Sequence, residues 1–129
     1  MIVSTRKWIT CCSLCLAPLA SAGLDGYGLA VVSLGEVTRA ESTLDDLVPF
    51  GDEATYRERI SPQVDSMRDR WKRVGDSLDH QAYAACARTL DRFQVYASAS
   101  LHAKQLLPNS PEGRAYTRSR VQCEKLLTS

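Results

Sequence analysis

The chain has 129 residues, 16 Lys and Arg against 15 Asp and Glu, 44% apolar residues and five cysteines. That is length for one globular domain. It is too apolar for a disordered chain and too evenly charged for a nucleic-acid binder held by a basic surface. Only two histidines accompany the cysteines, which leaves little material for a multi-ligand metal cluster.

The N-terminus reads as an export signal. Arg6 and Lys7 precede an apolar run from Trp8 to Leu19, and Ala20-Ser21-Ala22 supplies small side chains at the positions a signal peptidase reads. The run is shorter than the roughly 20 residues that span a bilayer. Gly23, not a cysteine, follows the small residues, which argues against a lipoprotein. The expected organisation is a cleaved signal over 1–22 and a single domain over 23–129. Removing 1–22 leaves 107 residues, takes two cations and no acid, and moves the formal charge from +1 to −1. Cys11, Cys12 and Cys15 leave with it, so Cys86 and Cys123 remain. An exported pair usually forms a disulfide. The style of the signal points to a bacterial protein of the periplasm or exterior.

The first element is expected from Tyr27 to Val48. Ala30, Leu34, Val37, Ala40, Leu44 and Leu47 recur at three- and four-residue steps, which is helical spacing. Gly28 and Gly35 weaken that reading, and Leu29-Ala30-Val31-Val32 also suits a short strand. Next comes the strongest stripe: Tyr56, Ile60, Val64, Met67, Trp71, Val74 and Leu78 fall within an arc of about 80° on a helix. Asp52 is placed to cap it. Pro62 inside the stripe predicts a kink, with Ser61-Pro62 as a renewed helix start.

The third segment is expected to run from an Asp79 cap to Leu107. Its main stripe is Tyr83, Cys86, Leu90, Phe93, Ala97 and Leu101, and a second, weaker one is Val95, Ala99, His102 and Leu106. Two stripes predict a helix touched on more than one side. The fourth begins cleanly, with Ser110 as cap, Pro111 in the first turn and Glu112 beside it. Tyr116, Cys123 and Leu127 form its inner face. The fold expected is therefore all-α, a small bundle of about four helices with one disulfide.

Geometry complicates the disulfide. With a helix ending at Leu107 and another starting at Pro111, Cys86 and Cys123 are nine residues out of register. That is about 13 Å along the axis, whereas a disulfide needs Cα atoms within roughly 7 Å. Either the third helix ends or bends early, or the two helices cross steeply.

No catalytic constellation stands out. His80 and His102 belong to no nucleophile motif, no Cys-x-x-Cys or paired-His metal signature occurs, and no glycine-rich phosphate loop is present. The acids Asp45-Asp46 and Asp52-Glu53 flank the Pro49 turn, where they are read as solvated helix ends. The sequence names no cofactor. One alternative is a haem or small-ligand bundle using Met67 and His102; another is an enzyme with an unrecognised site. The preferred expectation is a non-enzymatic interaction protein: an inhibitor, immunity, chaperone-like or assembly partner of another envelope protein. Its candidate contact surface is Arg68, Arg70, Lys72 and Arg73 with Arg114 and Arg118. Interleaved acids, Asp69 above all, are expected to pair with part of this set.

Overall fold

A computed structural model describes residues 24–74 and 77–129. The expected signal peptide over 1–22 lies outside the described residues. Among those described there are six α-helices and no strand. They are α1 (Gly26–Leu47), α2 (Glu53–Arg59), α3 (Ser61–Val74), α4 (Leu78–Gln81), α5 (Ala84–Ala103) and α6 (Pro111–Thr128), with a 3-10 turn at Val48–Phe50 after α1.

The α1 reading holds over the strand alternative. Asp25 takes an extended conformation and its carboxylate accepts the Gly28 N–H at 2.6 Å, a side-chain cap. Leu29, Ala30, Ser33, Val37, Ala40 and Leu44 face inward, while Val31 and Val32 are exposed. Successive residues 100° apart on a helix cannot all be buried.

The kink at Pro62 is sharper than expected. Ile60 (φ −107°, ψ −52°) interrupts the ladder, so α2 and α3 are separate helices. Pro62 has no N–H to donate, and the ladder resumes with Val64 N donating to Ile60 O at 3.3 Å. Tyr56, Ile60, Val64 and Trp71 are buried as the stripe predicted, but Leu78 is 83% exposed. It belongs to α4, so the helical phase of α3 does not reach it.

The third expected helix is divided and shorter. Ser77, not Asp79, precedes α4, and Tyr83 (φ −111°, ψ 25°) separates α4 from α5. α5 stops at Ala103, because Lys104 turns left-handed at φ 57° and Gln105 N donates to Ser100 O at 3.2 Å. The chain then folds back: Leu107 N donates to Ser100 Oγ at 3.3 Å.

This early stop resolves the cysteine register. Cys86 is 17 residues below the top of α5 and Cys123 is 12 below the top of α6. The five-residue difference is about 7.5 Å, which the descending 104–110 segment takes up. The two Cα atoms are 4.7 Å apart and the pair stands at disulfide distance. Gly113 makes this return possible. A Cβ there would lie 2.2 Å from Leu107 O and 2.7 Å from Pro108 O, so only glycine lets the incoming segment pass this close to α6. Ser110 Oγ accepts the Gly113 N–H at 3.0 Å, as the sequence predicted.

α5 packs against α1, α3 and α6, and α1 also meets α3 and α6. Phe93, Leu90 and Leu101 of α5 meet Val37 and Leu44 of α1 and Val64 of α3 in one fully buried core. Tyr116 of α6 stacks on Tyr96 at 5.3 Å and meets Phe93 edge-on at 5.5 Å.

Candidate functional site

α5 is buried against its neighbours, but one face stays open. Asp91, Gln94, Val95, Ser98, Ala99 and His102 follow each other at helical spacing along it. They form the floor of a groove of about 640 Å³. Glu53 in the first turn of α2 and Arg68 of α3 stand on one bank, and Glu112 in the first turn of α6 stands on the other. Val95 is 56% exposed and also lines a smaller hollow with Arg92, Pro111 and Ala115. The second apolar stripe of the sequence is therefore left largely open: Val95, His102 and Leu106 are exposed, and Ala99 is half-buried.

One bank is fixed by polar contacts. Arg68 Nε donates to Asp91 Oδ1 at 2.5 Å and its Nη1 to Asp65 Oδ1 at 3.3 Å. The Asp91 bond, followed by the charges of Asp91 and Asp65, outweighs burial and raises the Arg68 pKa. The Gln94 carbonyl accepts from the buried Tyr56 hydroxyl, and its Nε2 donates to Asp65 Oδ1 at 3.0 Å. Burial first, and the Asp65 charge second, push the Tyr56 hydroxyl well above its ordinary 10.0. Among the described residues, Glu53 and Glu112 stand in no ion pair. The groove thus offers small apolar contacts, one cation held by acids and two carboxylates free of ion pairs with the described residues. Ser98 and His102 line it four residues apart on α5.

The six basic residues singled out in the sequence have different surroundings. Arg68 reaches the groove and is held by two acids. Arg70 is half-buried, and Lys72 and Arg73 are exposed in the last turn of α3. Arg114 donates to the Asn109 carbonyl, and Arg118 is exposed. α3 and α6 both pack on α5 and not closely on each other. Asp69 pairs with neither Lys72 nor Arg73; Asp65 is the acid that takes a cation.

Met67 and His102 are likewise not brought together. The Met67 sulfur accepts from Ser33 Oγ at 3.9 Å, against α1, whereas His102 is exposed on the groove. No group of three His, Cys, Asp or Glu among the described residues is placed to hold a metal ion.

Two polar clusters escaped sequence reasoning. His80 is buried with its Nε2 3.1 Å from Leu24 O and its ring edge-on to Trp71. Beside it, Asp79 Oδ2 accepts the Gly26 N–H at 2.6 Å, and a Cβ on Gly26 would lie 2.4 Å from Asp79 O. α4 is thereby fastened to the start of α1. The second cluster ties α6 to α1. Arg120 pairs with Glu41, which also accepts from the Tyr116 hydroxyl at 3.0 Å, and Arg120 reaches Thr38 at 3.2 Å. Burial first and Glu41 second push the Tyr116 hydroxyl upward. Burial alone would lower the Arg120 pKa, but Tyr116, Glu124 and Glu41 together raise it. Only three-dimensional pairing of α1 with α6 exposes this cluster, since Glu41 and Arg120 are 79 residues apart.

Compared with known proteins, the chain matches no family model, no curated protein and no solved structure.

Proposed function

We propose that this protein is an exported, non-enzymatic interaction module that takes a segment of another envelope protein into the groove on α5. The observation that carries this reading is Val95, 56% exposed in the middle of a helix otherwise packed on its neighbours. Burying the exposed part of this side chain favours association by roughly 1 kcal/mol. Glu53 and Glu112 flank Val95 and Ala99 of the floor and stand in no ion pair among the described residues, so the fitting segment brings small apolar side chains with cations at their edges. An inhibitor, immunity, chaperone-like or assembly role all use such a contact.

Export is supported by Arg6, Lys7, the apolar run and Ala20-Ser21-Ala22. A cysteine pair at disulfide distance is compatible with it. Among the described residues, no helix is long and apolar enough to cross a membrane.

The test is affinity capture from the producing cell envelope with three baits: the unaltered protein, Val95→Arg and Arg118→Glu. A protein retained by the first and third baits, lost by the second and released by salt, supports the groove. Capture that survives Val95→Arg but fails with Arg118→Glu refutes it. Unchanged melting of Val95→Arg shows that the fold is intact.

A further inference from the structure

The surface over α5 and α6 carries cations that the fold leaves uncompensated. α5 has one acid, Asp91, and α6 has two, Glu112 and Glu124. Asp91 is bonded to Arg68 of α3 at 2.5 Å and Glu124 to Arg120 at 3.0 Å. Glu112 is in the first turn of α6, at one end of the surface. Arg88, Arg92, Arg114, Arg118 and Lys125 stand in no ion pair among the described residues. Arg92 and Arg114 donate to the neutral carbonyls of Ala115 and Asn109, which leaves their charge unopposed.

The fold gathers this set. Arg114, Arg118, Val121 and Lys125 recur along α6 at steps of four, three and four, so they share one helix face. All four are exposed, opposite the buried Gly113, Tyr116, Ser119 and Cys123. Beside them, a hollow of about 700 Å³ between α5 and α6 is lined by Arg88, Lys125, Gln122, Leu126 and the small Ala84 and Ala85. No Asp or Glu among the described residues lines it. The other helices mix their signs: Asp69 sits among Arg68, Arg70, Lys72 and Arg73 on α3, and α1 sets four acids against Arg39.

Such a face calls for an anionic partner, and its extent selects the kind. An ion or a short acidic segment in the hollow meets Arg88 and Lys125. It does not reach Arg114, which is 11 residues from Lys125, or about 16 Å along the axis. A broad anionic surface meets the whole row at once. Val121 and Leu126 are 41% and 37% exposed, and aliphatic side chains among Lys and Arg suit a helix lying in the headgroup layer of a membrane. Export, the reading proposed above, sets the protein beside such lipid.

We propose that the α5–α6 face docks the exported protein on anionic phospholipid headgroups, with α6 lying along the membrane surface.

Co-sedimentation with vesicles tests this, using equal parts phosphatidylglycerol and phosphatidylcholine against phosphatidylcholine alone. The purified protein should bind only the anionic vesicles, and less as salt rises. Each cation near anionic lipid favours binding about fivefold, so Arg118→Gln with Lys125→Gln should weaken it about 25-fold. Lys72→Gln with Arg73→Gln makes the same charge change on α3 and should lose far less. Unchanged melting of both double variants shows that the fold is intact. Failure to bind anionic vesicles overturns the proposal, as does equal binding to phosphatidylcholine alone. Equal losses from the two pairs overturn the assignment to this face. Salt-sensitive retention on immobilised polyglutamate without vesicle binding gives the face to an acidic protein and overturns the lipid. The vesicles hold no protein, so the result is read apart from the α5 groove and from export itself.

Discussion

Replacing Cys86 and Cys123 together by alanine should cost about 4 kcal/mol. The bond joins residues 37 apart in sequence, and the chain-entropy relation for a loop of that length gives this figure at 25 °C. A domain of this size is stable by roughly 5–15 kcal/mol in total, so the loss removes a large share of it. At roughly 4–8 °C per kcal/mol, the midpoint should fall on the order of 15–30 °C. Two measurements separate the contributions. Intact mass with and without reductant, after unfolding, should differ by 2 Da, since both cysteines are buried and resist reduction while folded. Thermal unfolding of the alanine pair then gives the energetic effect. No mass difference shows that the bond does not form. A mass difference with a melting change of only a few degrees refutes the entropic reasoning, and means that α5 and α6 hold their register through Gly113, Tyr96 and Tyr116 alone.

Gly113→Ala should destabilise the protein by about 2 kcal/mol or more through backbone displacement, because the new Cβ collides with the carbonyls of Leu107 and Pro108; a melting temperature equal to that of the parent would contradict this. Acid should also release the α2 cap: hydrogen bonds from Thr55 hold the Asp52 carboxyl below its ordinary 3.8, so the native state binds fewer protons there than the unfolded chain. The stability this contributes is full above the unfolded value and is lost as pH falls through the folded one, so the stability difference between parent and Asp52→Asn should shrink below about pH 4 in acid-titration melts.

Helix positions were legible in the sequence wherever side-chain spacing was the cause. The stripes of α1, α3 and α5 predicted the buried faces, and Ser110-Pro111 predicted the start of α6 because caps and first-turn prolines are local signals. What failed depended on contacts between distant segments. Lys104 carries no sign that it will turn left-handed; it does so where the 104–110 segment folds back on Ser100. That one turn moves the helix end from the expected Leu107 to Ala103 and sets the cysteine register. Leu78 continued the phase of α3 on paper but lies in another helix. The basic residues were grouped by type, whereas the structure sorts them by helix and pairs Arg68 with Asp91 of α5. The groove itself was partly visible as the second stripe of α5. Its banks were not, because Glu53, Arg68 and Glu112 come from three separate helices.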